Sequence, residues 1–197
     1  MKKTNKSGLR AIGRAVLEGK GFQTELQTGQ GVLAGSRLRA TKGDQILQVA
    51  VRTSYQRALS FTMQPNGRWR GLTGDRVVLV VPAENNSEGV EVLAFRSTTL
   101  KRVFDEAFED LAQSDRSSRY EIPVFVPLDR DSRKNVGHKV SNLKKSALWT
   151  VRLGPDELKS KVVPDNVESF IDRVKREFAE RNQVDVSKVE VEFRILK

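Results

Sequence analysis

Apolar positions fall into short alternating stretches with a few helical ones between them. Over Ser7 to Glu18, Leu9, Ile12, Val16 and Leu17 recur at helical spacing, Ser7 stands where a cap would, and Gly19 and Gly21 follow. This predicts a first helix. Phe22 to Thr28 alternates, Gly29, Gly31 and Gly35 punctuate the next stretch, and Ser36 to Ala40 reads as a short strand. After a turn at Lys42-Gly43-Asp44, Gln45 to Ser54 is a strand. Leu47, Val49 and Val51 lie on one of its faces and Gln48, Ala50 and Arg52 on the other. Arg57 to Phe61 is a further strand candidate, closed by the turn Gln64-Pro65-Asn66-Gly67. The continuous apolar run in Arg76 to Val81 predicts a buried central strand, with Val90 to Phe95 as its neighbour.

Leu100, Val103, Phe104, Ala107, Phe108 and Leu111 form the stripe of a second helix, with Thr98 or Thr99 as its cap. Gln113 to Ser118 is a polar linker candidate. Glu121 to Pro127 carries two prolines and is expected at a sheet edge. A basic loop spans Asp129 to Lys145, a short strand Trp149 to Leu153, a third helix Asp165 to Arg181 and a last strand Val189 to Ile195. The expected class is α/β, a mixed β-sheet flanked by helices. Residues 1–113 would form the core, and residues 114–197 an extension of basic loop, helix and strand packed on the same domain.

Composition narrows the classes. The chain of 197 residues has 38% hydrophobic and 30% charged residues, which suits a folded, well-solvated protein. It has no cysteine, which removes disulfides, thiolate metal sites and cysteine nucleophiles. The start Met1-Lys2-Lys3 is basic but no apolar segment follows, and the run Val77 to Val81 is far short of a membrane span. A cytoplasmic location without membrane contact is therefore expected. The net charge of +10 is unevenly placed. Residues 1–76 hold 14 Lys/Arg against 4 Asp/Glu, whereas residues 77–197 hold 21 of each. Such segregation creates a field that attracts polyanions, and nucleic acid is the commonest of these in a cell.

Gly35-Ser36-Arg37-Leu38, the turn Lys42-Gly43-Asp44, the strand Gln45 to Ser54, Trp69, Asp75 and the run Arg76 to Val81 together give an order of elements. That order, over about half the chain, resembles the restriction-endonuclease-like, PD-(D/E)xK nuclease superfamily. The resemblance implies an Asp on one strand and a Glu-x-Lys on the next, the acids holding magnesium and the lysine orienting or activating water. On the best fit the Asp position falls on Ser36 or Arg37, and the Glu-x-Lys position on Ala50-Val51-Arg52. Neither acid is present. Magnesium needs anionic oxygens, and a guanidinium stays protonated. The resemblance thus implies a degenerate member with no metal, no cofactor and no catalytic residue. Arg37, Arg39 and Arg52 would supply positive charge in place of the metal. Lys42, Arg57, Arg68 and Arg70 complete the expected nucleic-acid-binding set, with DNA favoured over RNA.

Two alternatives stay open: a magnesium-dependent nuclease with acids relocated to Glu18, Glu25 or Asp44, and a protein–protein module for an acidic partner. Other motifs carry less. Gly29-x-Gly31-x-x-Ala34 matches a dinucleotide fingerprint in letters but is followed by a strand rather than a helix. Asp129-Arg130-Asp131 starts like a calcium loop but has Lys134 and Val140 where Gly and Glu belong. His138 is the only histidine and has no visible partner. Trp69, between Arg68 and Arg70, and Tyr55, near Arg52 and Arg57, are the best candidates for stacking on bases.

Overall fold

A computed structural model describes residues 6–29, 36–83, 89–112, 119–129 and 142–161. The chain divides into two compact units, Met1–Lys161 and Val162–Lys197. The expected helix 165–181 and strand 189–195, His138 and most of the basic loop lie outside the described residues.

The first unit opens with α1 (Lys6–Gly19), then β1 (Gln23–Leu26), β2 (Arg37–Lys42) and β3 (Gln45–Thr53). These strands form an antiparallel meander. The β2–β3 turn is Gly43-Asp44, with Gly43 at φ +56°, a backbone that hairpin turns reserve for glycine. Next come β4 (Ala58–Met63), β5 (Trp69–Arg70), β6 (Arg76–Pro82) and β7 (Val90–Arg96). They are followed by α2 (Ser97–Leu111), β8 (Pro123–Pro127), a 3-10 turn at Leu143–Ser146, β9 (Trp149–Leu153) and α3 (Pro155–Lys161).

Six strands make a mixed sheet in the order β1-β2-β3-β6-β7-β9, in which only β3 and β6 run parallel. The connection between that parallel pair is the β4–β5 hairpin, which leaves the main sheet. It forms a second sheet of three strands in the order β5-β4-β8. The mixed α/β class is as expected; the separate small sheet was not anticipated. Among the described residues no helix is long and apolar enough to cross a membrane.

The strand parities explain the layers. Val49, Val51, Val78 and Val80 face α1, where they bury Leu9, Ile12, Val16 and Leu17. Val77, Leu79, Val81, Leu93 and Phe95 face the other way, onto Phe104 and Phe108 of α2 and Leu59 and Phe61 of the small sheet. β6 is therefore buried on both faces, which is why it reads as one apolar run. The second layer stops short of the sheet's far edge. On that side β2 and the first half of β3 stay exposed at Arg37, Arg39, Ile46 and Gln48.

Three boundaries differ from expectation. β8 completes the small sheet and β9 the large one, so residues beyond 113 belong to the first unit's sheets. α2 starts at Ser97, its N-cap position is Arg96 without a side-chain cap bond, and Thr98 and Thr99 lie in the first turn. α3 was not foreseen, although Gly154-Pro155-x-Glu157 carries its signal. Proline occupies the first helical position, and Glu157 Oε2 accepts from the Gly154 N–H at 2.9 Å.

Candidate nucleic-acid interface

The uncovered face of β1, β2 and β3 is built by register. Glu25 pairs with Arg39 and Arg39 with Gln48; Arg37 pairs with Ala50 in the next row. Cross-strand partners share a face, and residues two apart on one strand lie about 7 Å apart. Arg37 and Arg39 therefore stand side by side in solvent. Two shallow depressions flank them. One, of about 350 Å³, lies over Glu25, Gln27, Arg37 and Arg39. The other, of about 190 Å³, is lined by Gln27, Arg37, Gln48, Ala50, Thr73 and Gly74. A larger one, about 740 Å³, lies on the surface of α2. There Lys101–Asp105 and Arg102–Glu106 pair along the helix, so its two cations are already matched by acids one turn on.

The loop Gly71–Asp75 closes the inner side of the uncovered face. Gly74 has φ +81°, and a Cβ there would stand 2.6 Å from the Gln48 carbonyl oxygen, so only glycine fits. The Asp75 N–H donates to Gln48 O, and the Gln48 N–H donates to Asp75 Oδ2, both at 2.8 Å. Asp75 thus serves the backbone of β3.

Arg52 lies on the same face as Arg37, at the carboxyl end of β3, but is partly buried. Its Nη2 donates to Ser60 O at 3.4 Å, and its Cζ sits 5.0 Å from the centre of the Phe61 ring. Burial, and then the charge of Arg10, hold its pKa below the usual arginine value.

The other predicted cations scatter. Lys42 is on the opposite face, where Nζ donates to Lys20 O at 2.8 Å and lies 5.6 Å from the Phe22 ring centre. Arg57 is spent on structure: its guanidinium donates to Glu91 and Asp129, each at 2.7 Å, and to Pro82 O. Burial alone would lower its pKa, but the hydrogen bonds to Asp129 and Glu91 carry it upward. Arg68 is exposed in the β4–β5 hairpin, and Arg70 pairs with Glu121.

Trp69 is not a stacking platform. It is 6% exposed, its Nε1 donates to Asp105 Oδ1 at 2.8 Å, and its ring meets Phe104 and Phe108 edge-on. Tyr55 remains 49% exposed. The acids considered for a metal site are dispersed. Glu18 bonds Arg14 and Thr24, Glu25 faces Arg39 across the strands, and Asp44 sits in the β2–β3 turn. Among the described residues no three His, Asp or Glu side chains converge to hold a metal ion.

Gln27, Gln48 and Thr73 join this surface without having been singled out. Gln48 was legible from its parity with Ala50 and Arg52; Thr73 and Gln27 depend on how the loop and β1 close around β2. No family model matches the chain, and neither curated proteins nor solved structures yield a match.

Proposed function

We propose that this chain binds the phosphate backbone of nucleic acid, DNA in preference to RNA, across the uncovered face of β1–β3 and without cleaving it. The observation that carries the reading is the exposed pair Arg37 and Arg39, aligned on one strand in a face that no helix among the described residues covers. Cations in such a row neutralise phosphates and release counterions. Arg68 adds an exposed cation on the small sheet. The non-cleaving part rests on Arg37 and Ala50 facing each other where the nuclease resemblance would require acids.

Binding to duplex DNA and to RNA, measured across a salt series, tests this. Affinity should fall steeply with salt, and DNA should outcompete RNA. The double substitution R37Q/R39Q should reduce the slope of log K against log salt by about 2 and leave the melting temperature unchanged. Salt-insensitive binding, or none, sinks the reading and leaves an acidic protein as the partner to look for. Cleavage in magnesium or manganese that Glu18→Ala abolishes would instead favour a nuclease.

A further inference from the structure

Arg52 is out of place as a structural cation. Among the described residues no carboxylate pairs with it, and its one hydrogen bond there is the 3.4 Å contact to Ser60 O. A guanidinium carries five N–H donors, so most of this fork is unused by the fold. Removing a charge from water without a counter-ion costs stability, and an apolar side chain of similar volume would fill the space more favourably. Yet the surroundings are shaped to this group. Phe61 lies under it. Gly71, at φ +82°, passes so close that a Cβ there would stand 3.1 Å from Nη2.

Its position extends the exposed stripe. Arg39 pairs with Gln48 and Arg37 with Ala50, and Arg52 occupies the next row of the same face. The three arginines therefore occupy successive rows of one face, Arg39 and Arg37 on β2 and Arg52 on β3, the last of them partly buried.

We propose that Arg52 is a dedicated subsite for a single phosphate group, which inserts beyond the exposed Arg37–Arg39 stripe. The source of that phosphate, a nucleic-acid backbone, rests on the function proposed above; the phosphate chemistry does not. A planar fork backed by an aromatic ring can grip two oxygens of one phosphate, which a lysine cannot. The ligand would supply the counter-charge that the protein withholds.

The test follows the melting temperature of the full chain during titration with inorganic phosphate. At ten times the dissociation constant the unaltered chain should gain about 3–6 °C. The R37Q/R39Q chain should gain the same. Arg52→Met should gain nothing, and in phosphate-free buffer should melt at or above the unaltered chain. Arg52→Lys, which keeps the charge but loses the fork, should gain less than half as much. No gain in the unaltered chain, or a full gain in Arg52→Met, overturns the proposal. So does an Arg52→Met chain that melts lower in phosphate-free buffer or does not fold, because the cation would then be structural. Phosphate binding that depends on Arg52, without binding of DNA or RNA, would keep the subsite, overturn the nucleic-acid reading and point to a free phosphorylated ligand.

Discussion

Arg57 has φ +51°, a backbone that side chains with a Cβ seldom adopt. Its guanidinium joins the end of β6, Glu91 on β7 and Asp129 after β8, while Lys144 adds a second cation to Glu91 at 3.0 Å. Glu91 is 4% exposed. Burial would raise its pKa, but hydrogen bonds from Arg57 and Lys144 hold it below the usual carboxylate range. Because the folded value is lowered, this stabilisation is complete above the unfolded pKa of about 4.3 and is lost as pH falls towards the folded value. Glu91→Gln should cost about 3 kcal/mol at neutral pH, since it removes the buried carboxylate that Arg57 and Lys144 share. In melts between pH 6 and 3, the gap between this variant and the unaltered chain should narrow below about pH 4. None of this was legible, because the partners of Arg57 lie 34 and 72 positions away. Parity, by contrast, was available. Lys42 is an odd number of residues from Arg37 and Arg39, so a strand must send it to the other face. The same rule turns Trp69 inward where Arg68 and Arg70 point out.

Elements with strong local patterning came through. The stripe of α1, the alternation of β3 and the unbroken run of β6 each recur in the structure within a few residues. The two prolines of β8 do place it at an edge, next to β4. What local pattern could not reveal is that β4 leaves the main sheet, since its partner β8 comes after an intervening helix. The close seat of α1 on β3 and β6 depends on one small residue. A Cβ at Gly13 would meet methyl groups of Val51 and Val80 at 3.0 Å. Gly13→Leu should therefore force the helix off the sheet and cost about 1–3 kcal/mol, read as a lower urea midpoint at unchanged slope. The uncovered face lies across the sheet from this helix. The candidate surface was thus only half legible: Arg37, Arg39 and Arg52 were singled out by the order of elements and strand parity puts them on one face, but which part of the sheet remained bare depended on how far α2 and the small sheet reach.

At the scale of the molecule, the excess charge of residues 1–76 maps onto α1, the meander and the β4–β5 hairpin. Folding then ties several of these cations down, through Arg14–Glu18, Arg57–Glu91 and Arg70–Glu121. Clustering along the chain overstated the cations left for a ligand. The division after Lys161 makes a further prediction. A chain ending at residue 113 lacks β8 and β9 and should show no cooperative melt by circular dichroism, whereas one ending at residue 161 should melt cooperatively. The small sheet also bears on biogenesis. Ala58 of β4 pairs with Pro127 of β8, 69 positions later. At ribosomal rates of about 5–20 residues per second, β4 waits about 3–14 s for its neighbour. During that interval β4 presents a row of unpaired backbone N–H and C=O groups beside the apolar Leu59 and Phe61, so the nascent polypeptide should depend on a chaperone until β8 emerges.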